Sequence, residues 1–375
     1  MGKRRILPGE LQIGSVLPWD AFDDRGFLLL RQGQTISTSN QIDRLIERGL
    51  FAELDVEVRR TQPLTNKLGP SAVSPILEAR RRLELICSLP ETPGFTEQIL
   101  FLRELIAEAC RLSPDAALAT TTFERHGRYS IRHSLDVAIT CHVVGGVLEM
   151  DDDALCSTVA AALTMNLSIL DLQDSLQGQK EPLTAEQREV IESHPADSVA
   201  LLRARGVTDD VWLEAVMSHH EAIDGSGYGR RRKGEEIPLS AQLVSLSDIY
   251  CARISTREYR RALRPNAALR ALFLDQGKKV SPSLATRFIK AIGVFPAGTP
   301  VKLENGEIAV VTERGETAKT PHVASIVTPE GMPFVTPVRR DTREPACGVR
   351  EVMEWSEVGA MPSMHALWGK VGTIY

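Results

Sequence analysis

Six of the eight histidines in this chain of 375 residues fall in its middle: His126, His133, His142, His194, His219 and His220. The last two are adjacent. Glu221 follows them, and then comes Asp224-Gly225-Ser226-Gly227-Tyr228-Gly229. Asp248 lies further on, in Ser247-Asp248-Ile249. Successive side chains on a helix point about 100° apart, so two adjacent histidines can serve two different metal centres. Imidazole suits iron, copper, nickel and zinc, and a carboxylate can bridge two cations. The same histidines also read as capping and hydrogen-bonding groups on a polar helix end, and residue types alone leave both readings open. The loop with three glycines lets backbone N–H groups approach a ligand closely, or simply turns the chain. Arg230-Arg231-Arg232-Lys233 after it reads as a solvated loop, or as a docking patch for an acidic partner or a phosphate-bearing ligand.

The elements that must position these residues are helical. Ile76, Ala79, Leu83 and Ile86 recur at helical spacing, as do Ile99, Leu102, Leu105 and Ile106. Ser130 to Met150 and Asp152 to Met165 read as buried helices. Thr184 and Gln187 form a Thr-x-x-Gln capping box at the start of a helix that Pro195 should kink or restart. Asp209 to His219, Pro238 to Arg253, Ala267 to Leu274 and Leu284 to Ile292 complete the set. Residues 76–293 are therefore expected to form one helical domain.

On either side the period changes. Residues 1–58 read as a small β-rich domain, with a turn at Asp23-Asp24-Arg25-Gly26 between Trp19–Phe22 and Phe27–Leu30. A short helix capped by Ser37 or Ser39 follows, with Ile42, Leu45 and Ile46 on one face and Gly49 at its end. Residues 59–75, rich in proline and polar side chains, read as a linker. Residues 294–335 read as a small β module: Val301-Lys302-Leu303 and Ile308 to Thr312 flank an Asn305-Gly306 turn, and His322 to Val327 adds a strand. Residues 336–375 carry no clear pattern. The fold class expected is mainly α, with a β-rich unit at each side of the helical centre.

Composition narrows the function classes. Hydrophobic residues make up 43% and charged residues 25%, which is globular rather than disordered composition. A net charge of −5 does not suit a general DNA binder, which needs a broad basic surface. No apolar run is long enough to span a bilayer, and no apolar stretch follows the basic start Met1-Gly2-Lys3-Arg4-Arg5. Six scattered cysteines without a Cys-x-x-Cys pair fit reduced thiols rather than a disulfide framework. A cytoplasmic location is expected.

His219-His220-Glu221-Ala222-Ile223-Asp224-Gly225-Ser226-Gly227-Tyr228-Gly229 resembles the signature of the HD-GYP domain family. The order of the other elements agrees over about residues 120 to 292. His133 sits in Arg132-His133-Ser134-Leu135-Asp136-Val137-Ala138, like the family's first histidine. Pro182-Leu183-Thr184 and then His194-Pro195 resemble the segment of its middle histidine. Ser247-Asp248 followed by Arg257-Glu258-Tyr259-Arg260 resembles its closing segment. The resemblance implies a bacterial cyclic di-GMP phosphodiesterase fold with two or three metals, usually including iron or manganese. It places His133, His194, His219, His220 and Asp248 at metal-ligand positions. It puts Asp224, Gly225, Gly227, Tyr228, Arg257 and Arg260 at ligand-binding positions, the two arginines toward phosphates. GGDEF-type diguanylate cyclases are implied as partners of the signature loop.

The departures from the family's pattern shape the expected function. Where the defining His-Asp pair should fall stands Met165-Asn166, followed by Ser168-Ile169 in place of Gly-Lys. Tyr129 replaces the carboxylate of three-metal members, and Gly229 replaces the signature's proline. A thioether is a soft ligand where imidazole belongs, and Asn166 cannot bridge two cations as a carboxylate does. The expectation is a degenerate domain, with at most one divalent metal (iron or manganese) and no confident catalytic residue. It would act as a non-catalytic regulator binding cyclic di-GMP, a related nucleotide or a signalling protein. A phosphodiesterase with an altered metal site and a structural adaptor are the alternatives.

Overall fold

The computed structural model describes residues 2–5, 21–22, 28–30, 51–54, 70–89, 92–255, 262–317, 319–359 and 361–375. The chain divides into two compact units, Met1–Lys67 and Leu68–Tyr375. In the first, β1 (Gly2–Arg5), β2 (Ala21–Phe22), β3 (Leu28–Leu30) and β4 (Phe51–Leu54) form an antiparallel sheet in the order β1-β4-β2-β3. The expected turn at 23–26 and the helix around Ile42 lie outside the described residues.

The second unit begins with α1 (Val73–Ser88), so the last positions of the stretch that reads as a linker are already helical. Ser71 Oγ accepts from the N–H groups of Val73 and Ser74 and opens the helix. Pro75 sits in the first turn, where its missing N–H leaves no helical bond unmade. The helical set continues with α2 (Phe95–Leu112), α3 (Pro114–Phe123), α4 (Tyr129–Val147), α5 (Asp152–Thr164), α6 (Leu170–Gln177), α7 (Ala185–Ala204) and α8 (Asp210–Ser218). It ends with α9 (Leu239–Ile254), α10 (Pro265–Leu274) and α11 (Pro282–Ile292).

The amphipathic outer helices lay one stripe on the core: Ile76, Ala79, Leu83 and Ile86 on α1, Ile99, Leu102 and Ile106 on α2. In contrast, α4 is apolar or small nearly all round, from Ile131 and Leu135 to Val144 and Gly145. Such a helix belongs in the middle of the core, and α4 packs there against α5 and α9. Its first half carries His133.

After α11 come β5 (Pro300–Leu303), β6 (Ile308–Glu313), β7 (His322–Val327), β8 (Pro333–Asp341) and β9 (Val349–Val352). They form an antiparallel sheet in the order β8-β7-β6-β5-β9, so residues 336–375, which carry no clear sequence pattern, supply one edge and much of the other. Two short helices, α12 (Trp355–Val358) and α13 (Met364–Trp368), follow. They dock the sheet on the helical core: Phe123 of α3 meets Trp355 and Trp368 edge-on at 5.2 and 5.8 Å, and the Trp368 indole donates to the Thr312 carbonyl at 2.8 Å. The chain is thus mainly α with a small five-stranded sheet beside the helices. None of the described helices is long and apolar enough to cross a membrane.

Candidate metal centre

The helix expected to break at Pro195 does not: α7 runs unbroken from Ala185 to Ala204. Proline at position 195 has no N–H for the carbonyl of Ile191, four residues back. That carbonyl instead accepts from Nδ1 of His194 at 2.5 Å. The proline therefore frees the group that orients the imidazole. On α8 the Val216 carbonyl, in the last turn where helical partners run out, accepts from Nδ1 of His219 at 2.6 Å.

These two bonds fix the tautomers. A carbonyl can only accept, so both Nδ1 atoms carry hydrogen and both neutral rings present a bare Nε2. The two Nε2 atoms face each other at 3.2 Å. A shared proton would resolve the clash of lone pairs, but burial, and then His219 beside it, push the His194 imidazole down to about 4. Burial also lowers His219, and burial with the neighbouring His219 pushes His220 well below the usual histidine range. One ligand atom from each of His194, His219 and His220 lies within 4.8 Å of the others. Three neutral imidazoles with donor atoms this close, two of them with the second nitrogen held by a backbone carbonyl, suit a borderline divalent cation. The residues fit a metal ion there.

The other half of the site differs. His133 of α4 and Asp248 of α9 are brought together, with Nε2 of His133 donating to Oδ1 of Asp248 at 2.6 Å. Burial would raise the Asp248 carboxyl. The bond from His133 and the neighbouring imidazoles outweigh it and hold the carboxyl well below the usual range. Tyr129, one turn before His133, stacks on its ring at 5.4 Å between centroids. Met165 and Asn166 follow the end of α5 and are both buried, Met165 within the apolar core. Ser168 ties this corner to α7 through the His194 carbonyl at 3.1 Å and the Ser198 hydroxyl at 3.0 Å. Ile169 is buried. His133 and Asp248 stand outside the three-histidine set, although Asp248 is near enough for its charge to act on His219 and His220. His126 precedes α4, and His142 lies on α4 beside Arg103; neither belongs to the cluster.

The signature loop folds back over the end of α8. A side chain at Gly227 would lie 2.4 Å from the Ala222 nitrogen and 2.5 Å from the His220 oxygen, so only glycine fits. Gly229 has φ +118° and faces the Met217 carbonyl. Tyr228 lays its ring on His220, with centroids 4.6 Å apart and planes 21° apart. Asp224 is exposed and its carboxylate accepts from the Ser226 N–H at 2.8 Å, closing its own turn. Gly225, at φ +82°, lies beside Lys233. Arg257 and Arg260 lie outside the described residues.

Sequence reasoning passed over three supports. Glu221 accepts from the Arg230 N–H at 2.5 Å. Glu214 pairs with Arg230 and Arg232 at 2.8 and 2.9 Å. The carbonyls of Lys278 and Lys279 accept from Asp224 and Ile223. Glu221 stood within the signature with no role assigned to it, and Glu214 left a trace as an acidic residue one helical turn before Ser218 with a basic run downstream to meet it.

The HD domain family matches residues 102–284. Cyclic di-GMP phosphodiesterase PA4108 of Pseudomonas aeruginosa is 26% identical over 286 residues, covering 72% of this chain and 69% of that protein. A cyclic di-GMP phosphodiesterase of Thermotoga maritima is 33% identical over 249 residues, covering 66% of this chain and 65% of that protein. Among solved structures, Bd1817, a HDG"Y"P protein from Bdellovibrio bacteriovorus, superposes with a TM-score of 0.54 at 16% identity over 77% of this chain and 99% of that one. Residues 102–284 are thus an HD domain, and its fold and the signature loop set over paired histidines are similar to those of HD-GYP proteins.

Proposed function

We propose that this chain is a cyclic di-GMP signalling protein whose HD-GYP domain holds a single metal ion and binds the nucleotide without hydrolysing it. One observation carries this reading: the three-histidine half of the site is arranged to hold a cation, while His133 and Asp248 are spent on each other. When bound, a divalent metal offers a Lewis acid to a phosphate oxygen. His194, His219 and His220 would hold it. Hydrolysis across two cations needs a shared carboxylate, and the chain offers Asn166 and Met165 at the family's pair. A phosphate would meet Ile169 where the family has a cation, so less charge is offset. Relatives named as phosphodiesterases favour the alternative, an active enzyme with an altered metal site.

The test is to purify the protein without oxygen, add manganese or iron, and offer cyclic di-GMP. Calorimetry reads binding, chromatography reads linear product, and elemental analysis reads metal. Binding without product, at one metal per chain, is expected. Product release with two metals per chain would replace this reading with the active enzyme. Neither binding nor product would leave a structural adaptor.

A further inference from the structure

The three imidazoles of the cluster are not held alike. His194 and His219 are fixed by backbone carbonyls, at 2.5 and 2.6 Å. Among the described residues, no hydrogen-bond partner is found for the His220 imidazole. Its ring meets His194 edge-on, lies tilted against His219 and stacks on the face of Tyr228. The orientation of this third nitrogen donor therefore depends on where the loop puts Tyr228.

Four contacts settle the path of that loop. Gly227 lies against the Ala222 nitrogen and the His220 oxygen. The Tyr228 N–H donates to the His220 carbonyl at 3.1 Å. The Arg230 N–H donates to Glu221 at 2.5 Å. Beyond these, the Arg230 and Arg232 guanidiniums converge on the carboxylate of Glu214, which also accepts from the Ser218 hydroxyl at 2.7 Å. Ser218 is the last residue of α8, directly before His219 and His220. One carboxylate thus ties the end of the histidine-bearing helix to the far arm of the loop. Between the two clasped arginines, Arg231 holds φ 55°, a conformation rarely taken by a residue with a side chain. The clasp keeps the chain in a path it does not favour by itself.

We propose that Glu214, acting through Arg230 and Arg232, is a positioning residue for His220: it closes the loop so that Tyr228 stays flat on the imidazole and aims it at the metal. The proposal rests on the one-metal reading above for its purpose, but the latch itself does not need the metal. Groups that support a metal ligand from behind are worth roughly 10–100-fold in affinity. The side chains of Glu214, Arg232 and Arg230 are 21%, 28% and 44% exposed, so high salt should loosen the clasp as well.

Two variants open the clasp from opposite sides, Glu214→Gln and the double change Arg230→Ala with Arg232→Ala. Two readouts are taken on the full chain: the ring-proton shift of His220 in histidine-labelled, metal-free protein, and the affinity for cobalt(II). Both variants should lose the ring-current shift that Tyr228 imposes and bind cobalt(II) roughly tenfold more weakly. Tyr228→Leu should do the same, and adding Glu214→Gln to it should cost nothing further, because both act through one contact. A native His220 shift in both clasp variants overturns the proposal, as does a native cobalt(II) affinity in protein that binds the metal, or full additivity with Tyr228→Leu. If the wild type binds no cobalt(II) while the His220 shift still collapses in the variants, the latch stands and the one-metal reading falls.

Discussion

The two halves of the site use the same residue type to opposite ends. In the half built on α7 and α8, carbonyls satisfy the Nδ1 atoms of His194 and His219 and leave two bare Nε2 atoms 3.2 Å apart. In the half built on α4 and α9, the Asp248 carboxylate takes the Nε2 hydrogen of His133 directly. The first arrangement leaves two facing lone pairs that a cation would relieve; in the second the Nε2 of His133 is already bonded, and only its Nδ1 is left without a partner among the described residues. What separates them is which nitrogen the partner holds: a carbonyl on Nδ1 leaves the Nε2 of His194 and of His219 bare, whereas the Asp248 carboxylate occupies the Nε2 of His133 itself.

The largest contrast between the halves is in metal content. His219→Ala removes a donor at the centre of the cluster and should leave chains without metal after gel filtration, read by elemental analysis. His133→Ala should keep one metal per chain. Equal loss in both variants would mean that the two halves form one shared site and would remove the distinction drawn above.

The next effect is on stability and reverses the order. His133→Ala leaves the Asp248 carboxylate, which is only 15% exposed, without its donor, and because breaking a fully buried pair costs about 3–5 kcal/mol the loss here should fall toward the lower end of that range. Chemical denaturation of the metal-free protein at pH 7 should show this loss. His219→Ala in the same experiment should cost less, because it relieves two facing lone pairs. A stability unchanged by His133→Ala would mean that the pair contributes nothing to the fold.

Acid should separate the halves in a third way. The His194 imidazole titrates at about 4 in the folded chain and at its ordinary value near 6.5 when unfolded. Between those values the unfolded chain binds the proton first, so stability falls as pH drops from about 6.5 toward 4. At about 1.36 kcal/mol per pH unit this amounts to roughly 3 kcal/mol. The Asp248 carboxyl lies below its ordinary range, so its contribution is intact above pH 4 and is lost only in stronger acid. Denaturation midpoints of the metal-free protein across pH 4 to 7 should fall in this direction, with His219, His220 and His142, which burial also lowers, adding to the loss, and His194→Gln should make the fall shallower.

How much of this was legible in the residues varies with the distance of the contact. The helical centre was readable because its apolar spacing is local: Ile76 to Ile86 and the capping box at Thr184 stand in the chain as they stand in the fold. His219 and His220 were nameable from the signature, and His194 from the His194-Pro195 segment before it. Their division into a cation-ready set and a spent pair was not, because His133 meets Asp248 across 115 positions. Pro195 misled because its rule concerns the helix alone. The carbonyl it frees is taken by a side chain, His194, and the helix continues. Residues 336–375 gave no pattern because β8 is an edge strand, mostly exposed and carrying Pro333 and Pro337, so it lacks the alternation of a half-buried strand.

The smallest expected effect tests whether the cluster depends on the stability of its helix or only on local contacts. Thr184 accepts from the Gln187 N–H at 3.2 Å, and the Gln187 side chain accepts from the Thr184 N–H at 3.0 Å, capping the helix that carries His194. Thr184→Ala removes the first of these bonds at an exposed position and should cost about 1 kcal/mol. His194 sits nearly three turns further on, held by Ile191 within the same helix. Fraying at the cap does not reach it, so denaturation should register the loss while metal content and cobalt(II) affinity stay at the wild-type value. A metal affinity that falls with Thr184→Ala would mean that His194 is positioned by the whole helix, and that the carbonyl freed by Pro195 is not sufficient to hold it.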